Sequence, residues 1–324
     1  MKISFFCLNL KRAFVISLSI FGLALTLSLI IIFGKMDGGF VNSESSYIKW
    51  VEFNVPYDVL KRVMEIDIKS RNEEVKIDYI QLLSYISAKN GGNYKNHKNE
   101  TLNNLVADLK GGKKMDELTD GVKLYPYYLE AYNAVLAEYL GEYEIEITDK
   151  DGMKQVVTKY GLKVKHPIMG SYSESDDFGN SRNYGFKRKH LGHDLMAAVG
   201  TAVCAFEGGI VEALGWNQYG GWRVGIRSFD GLRYYYYAHL RKDNPFAKDL
   251  AEGQTVRAGQ VIGYVGMTGY SVKENVNNIQ TPHLHFGIQL IFDESQKEGV
   301  NQIWIDCYQI SKLVRNPPAG VVLQ

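Results

Sequence analysis

The amino-acid sequence predicts an α+β protein of several parts: an N-terminal transmembrane helix, a small all-α domain and an antiparallel all-β domain. Three observations predict this order. Residues 14–33 contain no charged side chain, residues 45–141 carry apolar side chains at helical spacing, and residues 161–314 favour short strands with frequent glycine. A chain of 324 residues is long enough for two domains and additional segments.

The N-terminal segment is predicted to cross a membrane once. Residues 14–33, FVISLSIFGLALTLSLIIIF, form an uncharged run that is long enough to span a bilayer. Lys2, Lys11 and Arg12 precede it, so residues 1–13 are expected in the cytoplasm and the rest of the chain outside. A cleaved secretory signal is the alternative. Because the apolar core is longer than a usual signal and lacks a clear small-x-small cleavage site, we expect a retained signal anchor.

Residues 45–141 predict a helical domain. Four runs of apolar residues, the first after Pro56 and the others ending at glycines, indicate four short helices that share one core. Their apolar positions are Val59, Leu60, Val63 and Ile66; Ile77, Ile80, Leu83 and Ile86; Leu102, Leu105, Val106 and Leu109; and Tyr128, Ala131, Tyr132, Val135, Leu136 and Tyr139. No catalytic constellation is evident here, so we expect a spacer, positioning or partner-binding role, with no protein partner identified.

The hydrophobic period changes at residue 142. Alternating residues on both sides of the turn sequence DKDG predict a β-hairpin linker over residues 142–160. Residues 161–314 favour short antiparallel strands, with one helical stripe at residues 307–314. Residues 315–324, which include Pro317 and Pro318, are predicted to be an irregular tail.

Charge and cysteine content exclude two classes of protein. The chain has 37 Lys and Arg, 36 Asp and Glu and a formal net charge of +1. The four basic residues of residues 1–35 leave a charge of −3 on the remainder, which is not typical of nucleic-acid binding. Three cysteines make no disulfide framework. Buried free thiols are expected at Cys204 and Cys307, with a bridge between them as the alternative.

Residues 283–291, HLHFGIQLI, predict a strand with two different faces. Alternation places Leu284, Phe286, Ile288 and Leu290 on a core face. It places His283 and His285 together on the other face, roughly 6–7 Å apart along the strand. Such a pair suits a metal ligand beside a general base, although a histidine pair on a strand is more often surface decoration.

A second histidine motif, HLGHD at residues 190–194, strengthens the metal interpretation. A fully extended strand would hold His190 and Asp194 roughly 13 Å apart, too far for one ion. Gly192 permits a bend that brings them to a common point. Two imidazoles and a carboxylate make a zinc site with an open position for water, whose pKa zinc lowers to about 7.

A third segment, RYYYYAHL at residues 233–240, predicts an aromatic strand. Alternation would place Tyr235, Tyr237 and His239 on one side. The alternative is a packed aromatic strand with an incidental histidine.

The order of these motifs resembles that of the lysostaphin-type zinc metalloendopeptidases, which cut peptidoglycan cross-links. The resemblance covers roughly residues 160–300. Its motifs, in order, are HLGHD, GTAV at 200–203, GGIV at 208–211, YAHL at 237–240, the spaced Gly253 and Val256, GQVIG at 259–263, GMTGYS at 266–271 and PHLHF at 282–286.

The resemblance implies a site residue by residue. His190, Asp194 and His285 would bind one Zn²⁺ per chain, His283 would be the general base or position the water, and His239 would help stabilise the tetrahedral oxyanion. All five positions carry the expected residue. The resemblance also implies an antiparallel β fold with the cleft over one sheet.

Two segments depart from the usual family spacing: residues 269–282, which are longer than the usual link, and residues 178–190. Both are expected to border the cleft. A basic cluster in the second segment could contact anionic wall polymers or peptide carboxylates, but a solvated loop is the favoured interpretation. Its members are Arg182, Lys187, Arg188 and Lys189.

The leading functional hypothesis is a membrane-anchored zinc endopeptidase that hydrolyses amide bonds in bacterial peptidoglycan stems or cross-links. Its catalytic domain would lie outside a single-pass bacterial cell membrane. The alternative is a non-hydrolytic scaffold that uses the same fold to bind the cell wall or a partner. A general secreted protease is a third hypothesis.

Overall fold

The computed structural model describes residues 47–95, 98–150, 152–183, 187–299 and 301–318. Within these ranges no helix has the length and apolar content that a membrane crossing requires. The predicted cytoplasmic tail and transmembrane helix lie outside the described residues, so both stay predictions.

Five helices form the N-terminal part of the described chain. They are α1 (Tyr57–Ser70), α2 (Tyr79–Asn90), α3 (Asn99–Lys110), the short α4 (Met115–Thr119) and α5 (Tyr125–Leu136). Four of them were predicted, and α4 was not. Gly91 ends α2 in the left-handed conformation, with a φ of 60°, as its glycine pair indicates.

The last of these helices ends earlier than predicted. Ala137 leaves the helical conformation with a ψ of 145°. Tyr139, which was expected on the helical stripe, is fully buried beyond the helix, and its ring packs edge-on against Phe206 at 5.6 Å. Packing against the β part of the chain therefore ends α5 before Gly141.

A hairpin follows at once. Strands β1 (Leu140–Thr148) and β2 (Lys154–Leu162) pair antiparallel, with Leu140 opposite Leu162. The hairpin begins and ends two residues outside the predicted range of 142–160.

The regular structure in the remainder of the described chain is almost entirely antiparallel strands, as predicted. One helix, α6 (Tyr308–Arg315), lies close to the predicted stripe, and a single 3-10 turn covers Glu294–Gln296. The strands are β3 (Ile168–Met169), β4 (Ser181–Asn183), β5 (Lys187–Lys189), β6 (His193–Met196), β7 (Ala202–Cys204), β8 (Gly209–Asn217), β9 (Gly221–Ser228), β10 (Arg233–Ala238), β11 (Thr255–Val256), β12 (Val261–Tyr264), β13 (His283–Leu290) and β14 (Ile303–Ile305).

A seven-stranded sheet organises this part. Its order is β11-β8-β9-β10-β13-β14, and β6 pairs with the first half of β13. A smaller sheet has the order β12-β7-β3, and β4 and β5 form a separate hairpin.

One face of the large sheet is the core. The face of β13 that was predicted to be apolar is buried, with Leu284, Ile288 and Leu290 at 0% exposure and Phe286 at 2%. Val224 and Ile226 of β9 are also fully buried. Strand alternation then directs the intervening residues of these strands to the opposite face.

The described residues from Ile48 onward form one compact unit. A buried arginine joins its helical and β parts. Arg233 donates to the Ala134 carbonyl at the end of α5 at 2.9 Å and pairs with Glu207 at 2.9 Å and with Asp230 at 2.7 Å. Because Arg233 and Glu207 are buried, each needs the other as its partner away from water, and the bond to Ala134 then holds the two parts in register.

Cys204 and Cys307 are buried free thiols, which confirms the favoured interpretation over a bridge. Burial raises the pKa of Cys204 to about 11, so this thiol is unreactive at neutral pH.

Candidate active site

Three of the side chains predicted as metal ligands come together beside the first half of β13. His190 Nε2 lies 2.9 Å from His285 Nδ1, and each of these nitrogens lies 3.0 Å from Asp194 Oδ1. The His190 side chain is 5% exposed, and those of Asp194 and His285 are 17% and 15% exposed. The three ligand atoms thus form a nearly equilateral triangle at the edge of the buried volume.

Strand pairing explains how two of these residues meet. β6 runs antiparallel to β13, and Asp194 stands directly opposite His285. Residues that are directly opposite share one face of a sheet, with their Cβ atoms about 4.5–5.5 Å apart. The pair therefore follows from the register of the two strands.

His190 joins this pair because the chain bends at Gly192. A Cβ atom at Gly192 would lie 2.6 Å from His285 Cε1 and 2.8 Å from the Phe286 carbonyl oxygen. A side chain would enter that space only if the ring of His285 and the adjoining backbone moved. The glycine thus permits both the predicted bend and a close approach to the ring of His285.

The triangle fits a zinc ion. Zinc binds imidazole nitrogen and carboxylate oxygen at about 2.0–2.2 Å, which in a tetrahedron separates neighbouring ligand atoms by about 3.3 Å. The observed separations of 2.9–3.0 Å need only a small expansion to accept one ion. Three protein ligands would leave the fourth position open, as catalytic zinc sites require.

Asp177 fixes the orientation of the His190 ring through the ring nitrogen that does not face the other two ligands. Its backbone carbonyl accepts a hydrogen bond from His190 Nδ1 at 3.1 Å, which leaves Nε2 as the ligand atom. Its carboxylate accepts from His193 Nδ1 at 2.9 Å, and Glu174 accepts from His193 Nε2 at 2.9 Å. Sequence reasoning missed Asp177 and Glu174. The one available signal was the acidic run SESDD at residues 173–177, whose spacing does not show which histidine it contacts.

These carboxylates favour the protonated forms of His190 and His193. Burial opposes protonation of His190 and His193, but hydrogen bonds to Asp177, Asp194 and Glu174 outweigh it and raise the pKa of each to about 9. Burial opposes ionisation of Asp194, but hydrogen bonds from His190 and His285 hold its pKa well below the usual range. Zinc binding requires a neutral His190, so it would release the proton held here.

The two histidines predicted to be catalytic lie beside this triangle. The ring centroid of His239 is 4.9 Å from that of His283 and 5.8 Å from that of His285. His239 Nδ1 donates to the Thr268 carbonyl at 2.8 Å, and His283 Nδ1 donates to the Thr281 carbonyl at 2.8 Å. Nδ1 is therefore the protonated nitrogen of each ring whenever that ring carries a single proton.

The predicted alternation of the aromatic strand was wrong at its end. β10 stops at Ala238, and His239 adopts a left-handed conformation with a φ of 62°. Tyr235 and Tyr237 are buried in the core, while His239 turns to the side of the site. Tyr236, which alternation placed away from His239, packs edge-on against His285 at 5.9 Å.

A scan against family models matches residues 188–301 to peptidase family M23. The matched range includes His190, Asp194, His239, His283 and His285. The chain carries a peptidase family M23 domain.

Curated relatives agree with this assignment. An L-Ala–D-Glu endopeptidase of Bacillus subtilis is 43% identical over 122 residues, which are 38% of this chain and 36% of the relative. Lysostaphin of Staphylococcus simulans is 39% identical over 98 residues, 30% of this chain and 17% of the relative. The matches thus span about a third or less of each relative's length and confirm the lysostaphin-type resemblance of the M23 domain.

A solved structure extends the fold similarity beyond the M23 domain. The candidate glycyl-glycine endopeptidase lytM of Ruminococcus gnavus aligns with a TM-score of 0.54 over 86% of this chain and 95% of that chain, at 22% identity. This similarity concerns the fold, and it covers more of the chain than the M23 match does.

A cleft of about 840 Å³ opens over the outer face of the large sheet in the M23 domain. His190, His239 and His285 line it, and so do Arg188 and Tyr270 from the two unusual segments, as expected. The guanidinium of Arg188 contacts the Tyr270 hydroxyl and lies over its ring at 5.0 Å. The two segments therefore meet across one side of the cleft.

The solvated-loop interpretation of the basic cluster was wrong for two of its four members. Lys187 and Lys189 are exposed. Arg182 instead donates to Asp177 and Asp194, each at 2.9 Å, and Arg188 makes the contact with Tyr270. The carboxylates of Asp177 and Asp194 and the ring of Tyr270 hold these two arginines half-buried, and local sequence does not show these contacts.

Proposed function

We propose that this chain is a zinc-dependent endopeptidase that hydrolyses amide bonds in bacterial peptidoglycan peptides. The observation that carries the proposal is the triangle of His190, Asp194 and His285 beside two histidines whose Nδ1 atoms are bound to backbone carbonyls. The M23 match and the relative named as an L-Ala–D-Glu endopeptidase support a cell-wall peptide as the substrate.

The three ligands would hold the ion through His190 Nε2, Asp194 Oδ1 and His285 Nδ1. Bound zinc supplies Lewis-acid polarisation of the scissile carbonyl and lowers the pKa of water. Asp177 and Thr268 do not touch the reacting groups in this proposal. They position His190 and His239 by accepting their Nδ1 protons.

His283 is the proposed general base. Its Nε2 lies 3.7 Å from Asp194 Oδ1, within the ligand cluster, and its Nδ1–H is already bound to Thr281. The neutral ring can therefore accept a proton from the attacking water only at Nε2, and the protonated ring can deliver it to the leaving amine.

His239 is the proposed partner of the oxyanion. Because its Nδ1–H is bound to Thr268, it can donate from Nε2 only when both nitrogens are protonated. Its role as an oxyanion donor would therefore require that it take up a proton from water in the cleft as the oxyanion forms, against the burial that lowers the pKa of His239 well below its usual range. Its rigid placement follows from burial at 5% exposure and from Gly269, where a Cβ atom would lie 2.9 Å from His239 Nδ1.

We further propose that residues 14–33 anchor the chain in a bacterial cell membrane with the M23 domain outside. The charge-free run and the basic residues before it support this topology. Protease protection of the full chain in membrane vesicles tests it.

The test of activity uses the full chain with purified muropeptides beside casein, with mass spectrometry of the products. Cleavage of muropeptides that stops with a chelator and returns with zinc is the expected result. Cleavage of casein alone would favour a general protease. Zinc-loaded protein that binds muropeptides without cleaving them would favour the non-hydrolytic scaffold.

A further inference from the structure

Two arginines of the cleft have no carboxylate partner among the described residues. Arg188 and Arg223 both line the cleft together with His239 and His285. The Nε atom of each is buried and donates no hydrogen bond. Three other arginines of the β part have carboxylate partners: Arg182 pairs with Asp177 and Asp194, Arg227 with Glu212 and Arg233 with Glu207.

Arg223 lies in the same row of the sheet as the ligand pair. Val224 of β9 pairs with Tyr237 of β10. Because the two strands are antiparallel, the residue before Val224, Arg223, lies opposite the residue after Tyr237, Ala238. Ala238 pairs with His285, and His285 pairs with Asp194. Neighbouring strands are about 4.8 Å apart, so the Cα atom of Arg223 lies about 10 Å from that of His285, on the same face.

Arg188 reaches the cleft from the other side. It stands directly opposite Arg182 in the β4–β5 hairpin, and like charges in that position are destabilising. Arg182 is neutralised by Asp177 and Asp194, whereas Arg188 contacts the rings of Tyr219 and Tyr270 at 5.6 and 5.0 Å. The hairpin thus keeps a second positive charge in the cleft at some cost to its own stability.

Arg188 and Arg223 line the cleft together with Tyr236. The Tyr236 hydroxyl accepts a hydrogen bond from Asn217 Nδ2 at 2.9 Å. The Tyr236 ring in turn lies against His285. The two guanidinium groups therefore create a positive field next to the proposed metal ligands.

The acidic side chains of the cleft do not cancel this field. Glu212 pairs with Arg227 and with Lys297, and Glu252 accepts from the Leu214 backbone at 2.7 Å. Glu298 is exposed. None of these three glutamates pairs with Arg188 or Arg223.

We propose that Arg223, assisted by Arg188, binds a free carboxylate of the substrate close to the scissile bond. A residue of an extended peptide spans at most about 3.3–3.6 Å, so this carboxylate belongs within about two residues of that bond. Guanidinium groups bind carboxylates through two parallel hydrogen bonds, which need the donors that are unused here. The substrate class is then an anionic stem peptide, with neutral glycine bridges disfavoured. The inference rests on the proposed function.

The test compares two muropeptides that are identical except that one has free side carboxylates on its stem and the other has carboxamides. The full chain, loaded with zinc, should show a kcat/KM at least about ten-fold higher for the free acid, as expected for a charge-assisted contact. In Arg223→Gln the ratio of the two values should fall towards one, and Arg223→Lys should restore part of it, because lysine keeps the charge but not the fork of donors. Arg257→Gln, an exposed arginine outside this cleft, is the control and should keep the wild-type ratio.

A wild-type ratio near one, or an unchanged ratio in Arg223→Gln, would overturn the inference while leaving the peptidase proposal intact. If neither muropeptide is cleaved, the peptidase proposal fails. The dissociation constants of the two intact peptides then still decide whether Arg223 recognises the carboxylate.

Discussion

Asp194 and His285 stand directly opposite each other on the antiparallel strands β6 and β13, and their Oδ1 and Nδ1 atoms are 3.0 Å apart. A cross-strand pair holds two ligands more precisely than a loop would, because the register of the sheet fixes their separation. His190 then completes the set from the bend before β6. The proposed metal centre is thus a property of strand pairing and of one bend.

The two histidines of β13 should separate metal binding from turnover. His285→Ala should lose zinc, because it removes one of three ligands. His283→Ala should keep zinc and lose turnover by roughly 10²–10⁴-fold, the usual contribution of a general base. Metal analysis of the dialysed proteins and muropeptide assays measure both effects. Equal zinc retention in the two variants would contradict the assignment.

Gly192→Ala should weaken zinc binding. The added Cβ would lie 2.6 Å from the ring of His285 and 2.8 Å from a backbone oxygen, so the ligand ring must move. Displacing a ligand in this way should cost about 10–100-fold in metal affinity, measured by competition with a chelator. Gly111→Ala adds the same methyl group at the end of α3, where the nearest atom is 3.3 Å away, and should leave affinity unchanged. Equal affinities in the two variants would disprove the role of Gly192.

His166 should make the fold sensitive to mild acid. Burial lowers its pKa to about 4, from an ordinary value of 6.5, and its ring stacks on Tyr172 at 4.2 Å. The unfolded chain therefore binds more protons between these pH values, and stability falls as the pH drops from 6.5 towards 4. The loss should be roughly 2–3 kcal/mol in the free energy of unfolding. Urea unfolding at pH 7 and pH 4 should show a smaller loss in His166→Gln, and the same loss in both proteins would rule this group out.

Arg233 should contribute to stability without contributing to the reaction. It is fully buried, and its removal would leave Glu207 buried without its cation. Arg233→Ala should lower the free energy of unfolding by about 3–5 kcal/mol, whereas exposed Arg257→Ala should change it by less than about 0.5 kcal/mol. Denaturant unfolding measures both. A loss below about 1 kcal/mol in Arg233→Ala would mean that the joint between the helical and β parts is not maintained by this network.

Regular local patterns were predictable from sequence, and departures from them were not. Alternation along β13 identified its buried face because all eight residues stay in one strand. The same rule was wrong for His239, because the chain leaves β10 one residue earlier with a positive φ. A non-glycine residue in that conformation has no reliable sequence signal.

Contacts between distant segments could not be predicted from the sequence either. Asp177 lies 13 residues before the histidine it supports, and Arg188 meets Tyr270 from 82 residues away. The interpretation of the basic cluster as a solvated loop was wrong for Arg182 and Arg188 for the same reason, because Asp194 and Tyr270 contact them from other segments. The five predicted site residues could be grouped only because a family resemblance supplied the pairing that spacing alone leaves open, and their roles stay predictions.

The most direct test of the central claim is anomalous diffraction at the zinc absorption edge from crystals of the zinc-loaded protein. One anomalous peak per chain should lie between His190 Nε2, Asp194 Oδ1 and His285 Nδ1, at about 2.0–2.2 Å from each. A peak elsewhere, or no peak at this triangle, would contradict the assignment of the metal centre and with it the proposed peptidase.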